Sequence, residues 1–190
     1  MKKIVLFASG SGSNVENIAT FFEDRNDVLI SCVLSNKNNA QVLERCKRLG
    51  IPALSFNKNA FSQSDVILKL LNALNPDLIV LAGFLWKIPL QYVESFPNKI
   101  LNIHPALLPK YGGKGMYGMH VHEAVKKNGD KETGISIHFV NENYDEGNII
   151  LQAKTKLTKT DSPDSIAQKV HALEYEHFPK VIENLLFANG

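Results

Sequence analysis

Two polar side chains interrupt the apolar segment ILNIH, residues 100–104. Asn102 and His104 are two positions apart, so in a strand both side chains point to the same side. An amide donates hydrogen bonds and an imidazole exchanges protons near neutral pH, which suits the pair to stabilising an oxyanion and moving a proton. Pro105 favours an extended backbone at His104. We therefore predict that Asn102 and His104 are catalytic; the alternative is that His104 only bonds a main-chain carbonyl.

A carboxylate usually accompanies a histidine that works near neutral pH. The polar segment NENYDEG, residues 141–147, contains three candidates, Glu142, Asp145 and Glu146. Gly147 would allow this segment to run close to a ligand, which favours Asp145, but the local pattern does not choose among the three. We expect the carboxylate to raise the pKa of His104 and so to keep the ring protonated at neutral pH.

Three further histidines have weaker signals. His120 and His122 are two positions apart, so they would diverge on a helix, and no cluster of cysteines or acids beside them indicates a metal site. His138 alternates with apolar residues in ISIHFV, so it faces either the same cleft or the solvent. We expect no metal in this protein.

A glycine-rich turn, ASGSGSN, follows the first apolar run and precedes a helical pattern. Free main-chain amides and the positive end of the helix dipole favour an anion there, and we predict that Gly12, Ser13 and Asn14 bind phosphate. Alternatively, Ser13 caps the helix in a capping box with Glu16, and both can hold together. The pattern lacks the third glycine and the acidic residue of a dinucleotide site, and the GK[ST] of a P-loop.

The apolar runs alternate with helical periodicity through the first half of the chain, which predicts an α/β fold with a doubly wound, mostly parallel sheet. After residue 134 the pattern changes to strict alternation, which predicts antiparallel strands added at one edge of the sheet. Helices are expected from about residue 14, over residues 39–49 and 64–74, and from about Pro163 to Phe187. Strands are expected at residues 3–8, 27–35, 51–56, 77–83, 100–104, 134–140 and 148–157.

The composition indicates one domain over residues 1–190 and a small-molecule partner. The net charge is +2, from 21 basic and 19 acidic residues, and no basic run suits nucleic acid. The two cysteines are too few for a disulfide framework. The first apolar run is too short for a signal peptide or a membrane span, so we expect a cytoplasmic protein that binds neither membranes nor nucleic acids.

The motifs SGSGSN, LAGFLWKIP, NIHPALLPKYGGKG and YDEGNIILQA occur in an order that resembles the folate-dependent formyltransferase family. The pattern N-x-H-P-[AS]-L-L-P with a downstream D-x-G is typical of the whole family, and the G-S-N turn resembles its glycinamide ribonucleotide branch. The resemblance implies a Rossmann-like formyltransferase fold. It also implies transfer of a formyl group from 10-formyltetrahydrofolate, a cosubstrate, to the glycyl amine of glycinamide ribonucleotide in purine biosynthesis, without a metal.

The resemblance also implies a role for each matching residue. It gives Asn102, His104 and Asp145 the catalytic positions, and it gives Glu174 the ribose hydroxyls. The N-terminal half would bind the ribotide phosphate through Gly12, Ser13 and Asn14, and the C-terminal half would carry folate binding and catalysis. The residues implied in folate binding are Phe84, Leu85, Trp86, Lys87, Ile88, Pro89, Asn141, Glu142, Asn143 and Tyr144. For the assembly we expect at most a weak homodimer.

Two segments depart from the family pattern. Residues 85–88 read LWKI where many members have MRIL, so side-chain contacts with the folate would differ there. The loop 111–118, YGGKGMYG, is longer and richer in glycine, and we interpret it as a lid rather than a loose connection. The competing hypotheses are another formyltetrahydrofolate-dependent transferase or hydrolase, which should carry a further domain, and a noncatalytic nucleotide-binding module.

Overall fold

A seven-stranded sheet forms the centre of the molecule, in a computed structural model that describes residues 1–188. The strands run in the order β3-β2-β1-β4-β5-β6-β7. Their bounds are β1 Lys2–Phe7, β2 Val28–Ser35, β3 Ala53–Ser55, β4 Leu78–Leu81, β5 Ile100–His104, β6 Glu132–Phe139 and β7 Ile149–Lys156. The predicted domain covers residues 1–190, and its last two residues lie outside the part of the chain that the structure describes.

The strands β1 to β5 pair in parallel, whereas β6 and β7 are antiparallel additions at one edge. This arrangement confirms the predicted fold class. The four residues of β4 are all buried, as expected for a parallel strand covered on both faces. Along β7 the side chains are alternately exposed and partly buried, as expected for an edge strand with one solvated face.

Helices cover both faces of the sheet. Their bounds are α1 Ser13–Phe21, α2 Gln41–Leu49, α3 Lys58–Ser62, α4 Val66–Leu74, α5 Leu90–Ser95, α6 Met119–Asn128 and α7 Pro163–Phe187. The predicted final helix is confirmed at both ends. The helices α3 and α5 were not predicted, because five or six residues are too few to show helical periodicity. None of the described helices is both long enough and apolar enough to span a membrane.

The apolar core has one part on each face of the sheet. On one face, residues of β1, β4 and β5 pack against α1, α6 and α7. On the other face, a cluster of aromatic rings that includes Phe7, Phe61, Phe84 and Tyr92 lies under the segment that follows β4. These packed faces hold the carboxyl ends of the central strands in place.

The parallel strands β1, β4 and β5 end at one edge of the sheet, where ligands bind in open α/β folds. The glycine turn 8–12, the segment 82–89 and the loop 105–118 leave the sheet at this edge. The loop between β6 and β7, residues 140–148, returns along β5, so that Asp145 reaches the histidines of β5 and β6. The topology therefore gathers the predicted site residues.

Candidate active site

A cavity of about 510 Å³ lies at the carboxyl edge of the sheet. It is lined by residues 10–14, 82–85, 102–105 and 113–118, and by His122, Tyr144, Asp145, His171 and Glu174. The predicted catalytic residues, the phosphate turn and the predicted ribose residue therefore share one cavity. The glycine-rich loop forms part of its wall, at residues 113–118.

His104 lies at the end of β5 with only 4% of its surface exposed. Its Nδ1 is 3.6 Å from Oδ2 of Asp145, so Asp145 is the carboxylate that faces this ring. On the opposite side, Nε2 lies 2.7 Å from the carbonyl oxygen of Tyr111, to which it donates a hydrogen bond. The amide of Gly113 donates to Asp145 Oδ2 at 2.9 Å. The glycine-rich loop thus contacts both His104 and Asp145.

The expectation that His104 is protonated at neutral pH is wrong. Burial lowers the pKa of His104 below the ordinary imidazole value, and it outweighs the opposite effects of the Asp145 carboxylate and the Tyr111 carbonyl. The ring is therefore neutral at pH 7. With Nε2 protonated and bonded to Tyr111, Nδ1 is the nitrogen that can accept a proton, and Asp145 lies where it stabilises the resulting cation.

His138 orients the side chain of Asn102. The alternating sequence pattern left open whether His138 faces the cleft or the solvent. Nδ1 of His138 donates to the carbonyl of Phe139 at 2.9 Å, so Nε2 carries the lone pair and accepts from Nδ2 of Asn102 at 3.1 Å. Burial lowers the pKa of His138 and keeps Nε2 free to accept. The second N–H of the Asn102 amide remains available to a substrate oxygen. His138 therefore faces the cleft, not the solvent.

The turn predicted to bind phosphate, residues 12–14 and called the phosphate turn below, presents main-chain donors to the cavity. Within residues 1–188, the amides of Gly12, Ser13 and Asn14 have no hydrogen-bond acceptor, as at the first turn of any helix that has no side-chain cap. Gly12 has φ of +77°, and a Cβ atom there would lie 2.4 Å from Cγ2 of Val42. This position therefore requires glycine both for its conformation and for the close approach of α2.

The capping-box interpretation of this turn is wrong. Gly12 is the N-cap of α1, Ser13 is its first helical residue, and neither provides a side-chain cap. Glu16 instead forms ion pairs with Arg45 and Arg48 of α2. A glycine in the left-handed region begins the helix and leaves its first amides to an anion.

Glu174 connects the phosphate turn to α7. It is 6% exposed and accepts a 2.9 Å hydrogen bond from Nδ2 of Asn14. Burial raises the pKa of Glu174, and this bond opposes the increase. A buried carboxylate that retains acceptor capacity at a cavity wall is suited to binding hydroxyl groups. The local sequence around Glu174 did not show this role, because a helix of polar residues at this position is typical of a solvated surface.

A second, smaller cavity of about 70 Å³ adjoins the first. It shares Phe84, Asn102, Tyr144 and Asp145 with the larger cavity. The other residues predicted to bind folate fall into three groups. Five of them line the smaller cavity: Trp86, Lys87, Ile88, Asn141 and Asn143. Leu85 lines only the larger cavity, and Pro89 and Glu142 line neither cavity. The ammonium of Lys87 lies 5.8 Å from the ring centre of Tyr144, across the mouth of this cavity.

In residues 1–188, no three side chains of histidine, cysteine, aspartate or glutamate are arranged to hold a metal ion. The described residues provide at the site an amide donor, a neutral imidazole beside a carboxylate, and main-chain donors for an anion. Such a set can stabilise a tetrahedral oxyanion and transfer a proton.

Comparison with known proteins gives a consistent result. Residues 2–182 match the formyl transferase family. The chain is 39% identical to the chloroplastic phosphoribosylglycinamide formyltransferase of Arabidopsis thaliana, covering 95% of this chain and 64% of that protein. It is 40% identical to the enzyme of the same name from Haemophilus influenzae, covering 96% of this chain and 86% of that protein.

Solved structures agree with these relatives. The crystal structure of phosphoribosylglycinamide formyltransferase from Anaplasma phagocytophilum superimposes with a TM-score of 0.88 at 32% identity, covering 97% of this chain and 86% of that one. The family match covers β5, the glycine turn and α7 as far as residue 182. The chain is therefore a member of the formyl transferase family.

Proposed function

We propose that this protein transfers the formyl group of 10-formyltetrahydrofolate to the glycyl amine of glycinamide ribonucleotide. The observation that supports this function best is the junction of the two cavities at Asn102 and Asp145. A transfer between two substrates needs their reacting atoms to meet at the catalytic groups. The larger cavity has the glycine turn and a buried carboxylate for a ribotide, and the smaller combines apolar side chains such as Phe84, Trp86 and Ile88 with polar groups, which suits a flat ring that carries polar atoms.

The ribotide lies in the larger cavity under this proposal. Its phosphate accepts hydrogen bonds from the amides of Gly12, Ser13 and Asn14, and Glu174 binds the ribose hydroxyls. This orientation brings the glycyl amine towards His104. The free amides of the turn and the bond between Asn14 and Glu174 support this placement.

The folate lies along the segments 84–89 and 141–144. Its pteridine ring enters the smaller cavity between Ile88 and Val140, and the formyl group reaches Asn102 at the junction. The two segments offer main-chain polar groups beside apolar side chains, the usual combination in small-molecule sites. Trp86 packs on Phe61 and Phe84 and so stiffens one wall of this cavity.

The reaction needs no enzyme nucleophile. The glycyl nitrogen attacks the formyl carbon, a new C–N bond forms, and the bond from that carbon to the folate N10 then breaks. The second N–H of Asn102 donates to the oxygen that becomes negative, a contact that typically contributes about 10²- to 10³-fold in rate. Nδ1 of neutral His104 accepts the proton that the amine loses, and Asp145 stabilises the imidazolium until N10 receives a proton.

An ultraviolet assay of formyl-folate consumption tests this function. The purified protein should consume 10-formyltetrahydrofolate only when glycinamide ribonucleotide is present, and it should release tetrahydrofolate in equal amount. Consumption without the ribotide would instead indicate a hydrolase. Binding of a nucleotide with no formyl transfer to any amine would indicate a noncatalytic binding module.

A further inference from the structure

Four buried side-chain atoms of the described residues have no hydrogen-bonding partner: Asn14 Oδ1, Ser31 Oγ, Asn36 Oδ1 and His122 Nδ1. Unpaired buried polar atoms are uncommon, and each one needs a physical explanation. Two of the four belong to residues that line the larger cavity, Asn14 and His122. Asn14 is part of the phosphate turn, whereas His122 has no role in the reaction described above.

His122 lies in the first turn and a half of α6 and is only 2% exposed. Burial, together with smaller effects of the nearby imidazoles of His171 and His104, lowers the pKa of His122 to about 4. The ring is therefore neutral wherever the enzyme is expected to work. A neutral imidazole has one N–H donor and one lone pair, so it can bind an uncharged polar group that also donates and accepts.

The position of His122 indicates which part of a ligand it would contact. It lines the same cavity as His104 and His171. His104 faces the reacting amine, whereas His171 lies on α7 three residues before Glu174, the proposed ribose residue. In glycinamide ribonucleotide, the group between the amine and the ribose is a carboxamide, which both donates and accepts.

We propose that His122 is a substrate-binding residue that hydrogen-bonds the carboxamide between the glycyl amine and the ribose of the ribotide. This inference rests on the proposed function. The contact would orient the amine towards the formyl carbon and would pair a buried nitrogen that has no partner among residues 1–188. An apolar side chain of similar size would leave the carboxamide unpaired in the cavity.

The test compares steady-state kinetics of the whole protein and four variants. His122→Phe removes both ring nitrogens and retains a flat ring, and it should raise the KM for glycinamide ribonucleotide about 10-fold or more, as for the loss of one buried hydrogen bond. The KM for 10-formyltetrahydrofolate should stay within about twofold. His122→Asn places an amide near the position of Nδ1 and should recover most of the loss, which a role in packing alone would not produce.

His120→Phe is the matched control. His120 lies on the same helix, two residues earlier, but it is exposed and faces Glu123, so its replacement should leave both KM values unchanged. His122→Leu serves as the second apolar variant if the phenylalanine impairs folding. Isothermal titration of glycinamide ribonucleotide should show the same loss of affinity.

Two results overturn the assignment of His122. One is an unchanged KM for the ribotide in folded His122→Phe or His122→Leu protein, and the other is an equal loss in His122→Asn. Both comparisons use wild-type protein that has been shown to form the formylated ribotide. Failure of the wild-type protein to form that product would overturn the proposed function itself, so the two failures are distinguishable.

Discussion

Replacing Asp145 with asparagine removes charge from the site with little change of shape. Asp145 has φ of +56°, a conformation that asparagine tolerates better than most residues. The carbonyl oxygen of an asparagine side chain can still accept the hydrogen bond from Gly113. The glycine-rich loop should therefore stay in place, and the kinetic effect reports the lost carboxylate.

The geometry sets the size of that effect. With an effective dielectric constant of about 20, two unit charges at the 3.6 Å between His104 Nδ1 and Asp145 Oδ2 attract by about 4 to 5 kcal/mol. Each 1.36 kcal/mol corresponds to about a tenfold change in rate, so this energy sets an upper limit somewhat above 10³-fold. Part of the attraction is offset by desolvation of the carboxylate, and we expect kcat to fall by about 10²- to 10³-fold.

Under the proposed function, the KM for glycinamide ribonucleotide should change far less than kcat, because residues 12–14 and Glu174 would bind the ribotide away from Asp145. The substitution also removes a group that raises the pKa of His104, so this pKa should fall further. Since the neutral ring is the active form, activity declines as the pH falls through this pKa. The acid limb of the kcat profile should therefore move to lower pH in the variant.

Steady-state assays over a range of pH measure both effects. Glu146→Gln is the matched control, because Glu146 is the exposed neighbour of Asp145 in the same loop. His104→Asn should be at least as damaging as Asp145→Asn, and the double variant should lose much less than the product of the single losses. A kcat within about threefold of wild type in Asp145→Asn, or fully multiplicative losses, would refute the pairing of the two residues.

Three further substitutions test other parts of the site. Gly12→Ala should destabilise the fold by about 1 to 3 kcal/mol and raise the KM for the ribotide, because its Cβ would lie 2.4 Å from Val42 Cγ2; thermal unfolding and kinetics measure this. His138→Leu should lower kcat about 10- to 100-fold with little change in either KM, because Asn102 loses its orienting acceptor. Glu174→Gln should weaken ribotide binding but raise the free energy of unfolding at pH 7.5, because a buried carboxylate with a raised pKa destabilises the fold when ionised.

Each of these has a clear contradicting result. Unchanged stability in Gly12→Ala would mean that the turn and α2 can separate at no cost. Wild-type kcat in His138→Leu would mean that Asn102 is held by other contacts. For Glu174→Gln, the gain in stability should disappear as the pH falls towards about 4, where the wild-type carboxyl is protonated. A gain that does not depend on pH would contradict the electrostatic explanation.

The mostly parallel sheet with antiparallel additions followed from the apolar pattern, because a parallel strand is buried on both faces and a strand at a solvated edge on one. Both ends of β5, Ile100 and His104, were predicted correctly from the segment ILNIH, because Pro105 follows directly after it. The helices α3 and α5 were missed because short helices are stabilised by tertiary packing, not by their own periodicity. Phe61 in α3 and Tyr92 in α5 are both buried in the aromatic cluster.

The site was predictable where a residue type and its place in a strand or turn suffice. Asn102, His104 and residues 12–14, which the structure brings to one cavity, were selected in this way, and the resemblance to the family supplied Asp145 and Glu174. The protonation state of His104 could not be predicted from the sequence, because it depends on the balance between burial and a carboxylate 41 positions away. The direction of His138 depends on pairing between β5 and β6, which alternation alone does not determine.

Transfer of a labelled formyl group tests the central claim most directly. The protein would be incubated with 10-formyltetrahydrofolate that carries ¹³C in the formyl group and with glycinamide ribonucleotide, and the products would be followed by mass spectrometry and NMR. The account predicts that the label appears on the glycyl nitrogen of the ribotide, one per folate consumed, and that His104→Asn abolishes most of this transfer. Label recovered as formate, or transfer that persists at the wild-type rate in His104→Asn, would contradict the account.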